Sequence, residues 1–280
     1  MENNSIAIVT DSTADIPDFL LEQNSIHVVN NLIIIEGKSF LDRLEIKRQE
    51  LYEKLPQMKM FPTTATASAG VYQTLYESLF KQGIEWIISI HTSKKLSGIF
   101  NAASLAAQSF GKRVQVIDSE MVSLGLGFQA LVAAEAVKQG LKLENIISLI
   151  ADTRRRIRLV AMLDTLEYIR RSGRVNWLRA RLGDVLRIKP LLEVRNGEVL
   201  SLGEVRTYRK GVKRLLDMLT SLGPIERLAI LHTNAEKEAK EFLQSLSFQL
   251  PTSPIIVNVT TVIGSHVGPN GLGFVAMLSR

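Results

Sequence analysis

Four short stretches hold the side chains that could do chemistry. Asp11-Ser12-Thr13 closes an apolar run, and Thr63-Thr64-Ala65-Thr66-Ala67-Ser68 places four hydroxyls in six residues. Ser97-Gly98 follows the run Trp86-Ile87-Ile88-Ser89-Ile90. His266 lies in Gly264 to Gly273, where five of ten residues are Gly or Pro. Hydroxyls, glycines and one imidazole can bind an anion but break few bonds by themselves. The other His, at 27, 91 and 232, are scattered, and no His-x-x-x-His or carboxylate cluster gives metal-ligand spacing. No nucleophile-elbow or Walker pattern occurs. A carboxylate held by Thr64, Ser97, a helix N-terminus and His266 fits this inventory. Each stretch also has a plainer reading. Asp11 and Ser12 can be a cap with an Asx turn, 63–68 a surface loop, Ser97 a helix cap, and His266 a hydrogen-bonded structural residue.

The elements that must position these residues are those of an α/β chain. Ser5 to Thr10, Trp86 to Ile90 and Val114 to Asp118 read as buried strands, each followed by a helical pattern. Ser97 therefore stands where a strand turns into a helix, where unpaired N–H groups and the helix dipole favour negative charge. Ile26 to Phe40 reads as extended, Lys47 to Leu55 as a short helix, and Ala69 to Gln82 as a helix with Val71, Tyr72, Leu75, Tyr76, Leu79 and Phe80 on one stripe. Phe128 to Gln139 and Leu143 to Arg156 read as further helices. The alternation predicts a parallel sheet covered on both faces. Gly125-Leu126-Gly127 lacks the third glycine and the later acidic residue of a dinucleotide site, so that reading is rejected.

Past Arg158 the pattern changes. Leu159 to Leu163 reads as a strand, Thr165 to Arg171 as a short helix, and Asn176 to Leu186 as a basic helix. Pro190 to Arg195 and Glu198 to Leu202 flank Asn196-Gly197, a strong hairpin signal. A helix over Tyr208 to Leu222, a strand over Arg227 to His232, a helix over Ala235 to Leu246 and a strand over Ile255 to Val259 follow. The expectation is two α/β domains: an N-terminal one, 1–157, with the carboxylate-binding loops, and a C-terminal one, 158–280, with an antiparallel hairpin, a basic face and the His-Gly-Pro loop.

Composition bounds the function. The chain has 280 residues, 46% hydrophobic and 22% charged, with no Cys, which excludes disulfides, thiolate metal sites and a Cys nucleophile. No signal-peptide pattern opens it and no apolar run reaches the ~18 residues of a spanning helix, so a soluble cytoplasmic protein is expected. Net charge is +6, and the window Asp152 to Lys189 alone holds eleven basic and four acidic residues. That asymmetry suits an acidic partner surface, a phosphate or an anionic membrane, or simply a solvated helix face.

Taken together, Thr63-Thr64 with Ser68, Leu96-Ser97-Gly98 and His266-Val267-Gly268-Pro269, at these separations, resemble the DegV family. Val9-Thr10-Asp11-Ser12-Thr13, Val116-Ile117-Asp118-Ser119 and Arg171-Ser172-Gly173-Arg174 match it too, over essentially the full length. The resemblance implies a two-domain bacterial fatty-acid-binding protein with no cofactor and no catalytic activity of its own. Some members are the acyl-binding subunit of a two-component fatty acid kinase. They bury a long-chain fatty acid and present its carboxylate to an ATP-dependent partner, which makes acyl-phosphate for phospholipid synthesis. It further implies that Thr64 and Ser97 bind the carboxylate, with Thr63, Gly98 and Ser12 beside them and His266 supporting the network. Arg174, Arg170 and Arg171 would form the partner-docking face, and contact with a membrane or an acyltransferase would be transient. The chain departs from the family pattern at Ala65-Thr66-Ala67, at Ile99-Phe100 and at Asn270, which bears on acyl-chain preference.

Two other classes fit the sequence less well. A phosphotransferase using His266 lacks a nucleotide-binding motif. A nucleic-acid-binding regulator would use the basic window, but Tyr168 and Trp177 make no aromatic ladder and no helix-turn-helix signal is present.

Overall fold

The computed structural model describes residues 5–175, 188–248 and 252–280. In chain order the strands are β1 (Ile6–Asp11), β2 (Ile26–Val29), β3 (Leu32–Ile35), β4 (Lys38–Leu41), β5 (Thr63–Ala65), β6 (Trp86–His91), β7 (Val114–Asp118), β8 (Ile157–Met162), β9 (Lys189–Arg195), β10 (Glu198–Val205), β11 (Ile225–His232), β12 (Ile255–Asn258) and β13 (Leu272–Leu278). The helices are α1 (Asp18–Gln23), α2 (Arg48–Lys54), α3 (Ala69–Lys81), α4 (Ile99–Ala107), α5 (Leu124–Lys138), α6 (Leu143–Arg156), α7 (Glu167–Ser172), α8 (Tyr208–Thr220), α9 (Glu236–Gln244) and α10 (Thr261–Val267).

The chain divides into two compact units, 1–32 with 65–155, and 33–64 with 156–280. A single cut between 157 and 158 therefore misplaces residues 33–64. Their side chains bond to the 258–261 stretch, far along the sequence, and composition carries no trace of that pairing.

In the first unit β2-β1-β6-β7 form a fully parallel sheet. Every residue of β1 is buried, as in a strand covered on both faces. Tyr72 and Tyr76 of α3 and Ala103 of α4 pack with Val9 and Ile87 in one core cluster. Helix α5 starts at Leu124, four residues before the expected Phe128, and is buried almost all round. Gly125-Leu126-Gly127 lies in its first turn.

The second unit holds a six-stranded mixed sheet, β10-β9-β8-β13-β11-β12, parallel only between β11 and β12. Asn196 and Gly197 both take positive φ (52° and 78°) and close the hairpin as their sequence predicts. Leu215, Ile230, Phe242 and Phe274 centre its core; burying each such side chain contributes about 1.5–3 kcal/mol.

Two stretches that read as loops are ordered elements. Thr63–Ala65 is β5, the outer strand of the small sheet β4-β3-β5. The Gly/Pro-rich stretch from Gly264 splits into the end of α10 and the start of β13, a central strand. Its glycines are there for contact. A Cβ on Gly273 would fall 2.6 Å from the Val160 carbonyl oxygen of the neighbouring strand. The expected basic helix over Asn176 to Leu186 lies outside the described residues.

Candidate functional site

Thr64 sits in the middle of β5, half-buried, with Thr63 exposed beside it. Its Oγ1 lies 3.0 Å from Nε2 of His266, next to the last residue of α10. These two, 202 positions apart, are the sequence-predicted ligands that the second unit brings together. Burial pushes the His266 imidazole down to about 4, and the Arg174 cation acts in the same direction, so the ring is neutral at pH 7. A neutral imidazole can donate from one nitrogen and accept at the other.

Ser97 and Gly98 belong to the first unit. Helix α4 begins at Ile99 with Gly98 as its cap residue, and no side chain caps it. The expected Ser cap therefore does not form. The Ser97 N–H donates to the Ser93 carbonyl at 3.0 Å, while its hydroxyl has no partner among the described residues. Gly98 has an ordinary φ of −76°, and a Cβ there would stand 3.7 Å from the Thr66 methyl. Neither its backbone nor its packing demands glycine.

Ser12 is buried at 1% exposure, and its hydroxyl accepts from Asn31 N (3.2 Å) and faces Asn31 Nδ2 (3.3 Å). It supports the loop from inside and does not face outward as a ligand would need. The organising residue is its neighbour Asp11. One carboxylate oxygen accepts from Thr13 N at 3.0 Å, from the Thr13 hydroxyl and from Asn31 Nδ2 at 3.3 Å. The other accepts from His91 Nδ1 at 3.0 Å and Thr92 N at 3.3 Å. Asn31 Oδ1 in turn accepts from Ala67 N at 3.4 Å. One buried carboxylate thus ties the end of β1, the β2–β3 turn, the end of β6 and the hydroxyl-rich segment. His91 and Asn31 are missed by sequence reasoning. A polar residue ending a buried strand was the available signal, and it singled out Asp11 and Ser12 but neither of these two.

All three arginines expected to dock a partner, Arg170, Arg171 and Arg174, are exposed. Arg171 also makes contacts of its own, 2.7 Å from Glu167 Oε1 and over the Phe61 ring at 4.1 Å. Of the basic window, Arg179, Arg181 and Arg187 lie outside the described residues, as does Trp177. A separate groove of about 310 Å³, lined by Ile35, Phe40, Ile46, Leu51 and Met58 among others, includes none of the expected ligands. Among the described residues no group of His or carboxylates could hold a metal, and no helix is long and apolar enough to cross a membrane.

A family model described as "Uncharacterised protein, DegV family" matches residues 5–278. "Protein DegV" of Bacillus subtilis is 34% identical over 276 residues, 96% of this chain and 98% of the relative. Among solved structures, a fatty-acid-binding DegV family protein of Thermus thermophilus superposes with a TM-score of 0.91 at 30% identity, covering 98% of this chain and all of that one. DegV of Bacillus subtilis, described as a fatty acid binding protein, gives 0.87 at 32% identity, covering 98% and 99%.

Proposed function

The chain belongs to the DegV family, and on that premise we propose that it binds a long-chain fatty acid, with the carboxylate held by the hydroxyls of Thr64 and Ser97. The observation that carries the reading is the Thr64–His266 pair beside Arg174. In this reading His266 keeps its proton on Nε2 and donates to Thr64 Oγ1, which leaves the Thr64 proton for the ligand. The Ser97 hydroxyl is likewise uncommitted. Gly98, which packing does not require, lets the carboxylate reach the first backbone N–H groups of α4. Thr63 flanks the site from the exposed side of β5.

The division of labour follows from magnitudes. A buried methylene gives about 0.8 kcal/mol, so ~14 of them offer on the order of 11 kcal/mol gross. Each hydrogen bond to a carboxylate adds ~1.5–3 kcal/mol before desolvation is counted. The tail sets affinity and the head group sets orientation. We propose further that the oriented carboxylate is presented to a separate ATP-dependent kinase for acyl-phosphate formation, with Arg170, Arg171 and Arg174 at the docking face.

Native mass spectrometry of the purified protein tests the ligand class, and a bound mass equal to a C14–C18 fatty acid is the expected result. An empty protein that also fails to take up added palmitate rejects the proposal. Acyl-phosphate formation with the kinase subunit tests the second part: Arg170→Ala, an exposed change away from the Thr64–His266 pair, should lower turnover while leaving palmitate binding intact.

A further inference from the structure

Helix α10, which carries His266, is seven residues long, too short to hold its own direction. Residues from 33–64 hold its start, while the Tyr168 ring of α7 packs against Gly268 at its end. Asp42 is fully buried, and its Oδ1 accepts from both Thr261 N (3.2 Å) and Thr261 Oγ1 (2.6 Å), the first residue of the helix. Tyr52 donates its hydroxyl to the Val259 carbonyl at 2.9 Å, and the Arg48 guanidinium donates to the Asn258 carbonyl. The ring of Tyr52 lies so close under the helix that a Cβ on Gly264 would fall 2.3 Å from its hydroxyl oxygen. Within the helix Ser265 Oγ donates to the Thr261 carbonyl at 2.7 Å, passing the anchored first residue on to the turn that holds His266.

The segment that grips 258–264 also ends in Thr64. One stretch of chain thus supplies the hydroxyl and sets the helix that supplies the imidazole. A carboxylate is costly to bury, and Asp42 stands where its hydrogen bonds define the axial and rotational setting of α10. We propose that Asp42 is a positioning residue for the Thr64–His266 pair, and through it for recognition of the ligand's head group. This inference rests on the carboxylate-binding reading above.

The test uses the full chain and two probes of equal tail, palmitic acid and hexadecan-1-ol. Asp42→Ala is expected to lower the acid-to-alcohol affinity ratio about tenfold and to leave alcohol affinity within about twofold. Asp42→Asn, which keeps an Oδ1 acceptor, should retain the ratio within about threefold. Without ligand, the His266 Nε2 signal in nitrogen NMR should move in Asp42→Ala and stay near wild type in Asp42→Asn. A purely structural role would lower affinity for both probes together. An Asp42→Ala protein with the wild-type ratio and an unmoved His266 signal overturns the proposal. If Asp42→Ala does not fold, Thr261→Val decides, because it removes only the second hydrogen bond: a ratio about threefold lower supports the proposal, and an unchanged ratio overturns it. A wild-type protein with no preference for the acid would instead sink the carboxylate reading, and the His266 signal alone would then judge Asp42.

Discussion

His91 Nδ1 donates to Asp11 Oδ2 across 3.0 Å, and neither side chain is exposed. On the other side of the ring, Nε2 lies 2.7 Å from Ser89 Oγ, and Ser89 Oγ lies 2.8 Å from the Tyr76 hydroxyl. Burial pushes Tyr76 up to about 12, so it keeps its proton and heads the chain as donor. Tyr76 to Ser89 to His91 to Asp11 then runs in one direction with every polar group satisfied. The arrangement resembles a hydrolytic triad, but no substrate reaches a fully buried serine. It braces the loop that leads from β6 to Ser97.

Asp11→Ala should therefore be among the most damaging single changes. It strands the donors of His91, Thr92, Thr13 and Asn31 in the interior, and the expected loss is about 3–5 kcal/mol. Urea denaturation monitored by circular dichroism measures it. A loss below about 1 kcal/mol would show that the carboxylate is not the hub its contacts describe.

Thr64→Val separates binding from folding. Valine keeps the shape and suits an outer strand, so stability should change by less than about 1 kcal/mol. The hydroxyl that meets His266 is gone, and palmitate affinity should fall about tenfold. Thr64→Ser should stay within about threefold of wild type. Titration of the delipidated protein with palmitate reads both, and wild-type affinity in Thr64→Val would remove Thr64 from the site.

The strands of the first unit were legible because apolar β-branched runs ending in Asp or His have few other uses. The Asn196-Gly197 turn was legible because its two positive φ angles select those residues. Segment 33–64 was not, since its membership depends on Asp42, Tyr52 and Arg48 reaching partners more than 200 residues away. Central strand β13 was hidden because Gly273, which permits close approach to Val160 and Ala161, looks like a loop residue in one dimension. The Thr64 and His266 positions were reachable only through the motif set. A lone threonine and a lone histidine carry no mark of their meeting.

Stability should fall on mild acidification. Burial pushes both His232 and His266 down to about 4, from an ordinary value of 6.5. Around His232 the carboxylates of Glu236 and Glu238 oppose the cations of Arg48 and Lys240, leaving burial as the largest effect. Between pH 6.5 and 4 the unfolded chain takes up protons that the folded chain refuses. The stabilisation is thus complete above pH 6.5 and is lost as the pH drops toward 4, by up to ~3 kcal/mol for each ring. His232 adds a local reason: its Nδ1 accepts from Ala235 N at 3.1 Å, and protonation removes that acceptor. Urea midpoints at pH 7.5, 6 and 5 should decline in order, and His232→Asn should flatten the decline. A flat profile from 7.5 to 5 would contradict both assignments.

Two glycine-to-alanine changes should have opposite signs. Gly70 lies near the start of α3, where a Cβ would meet only Ser68 Oγ at 3.7 Å, an ordinary contact. Alanine there restricts the unfolded chain and should be neutral or stabilise by up to ~1 kcal/mol. Gly127 lies in α5 with equally helical neighbours, but a Cβ would fall 2.5 Å from the Ala14 carbonyl oxygen and 2.7 Å from a Leu124 methyl. Leu124 can rotate, whereas the carbonyl cannot move without shifting the turn Ser12–Ala14 that Asp11 anchors. Gly127→Ala should thus cost about 2–4 kcal/mol despite the better helix former, with the strain felt first at the Asp11 cluster. Thermal melts of the two variants, with hydrogen exchange at Thr13 and Thr92, distinguish strain from a simple propensity gain. A Gly127→Ala protein as stable as Gly70→Ala would mean that α5 does not press on the β1 turn as closely as these distances require.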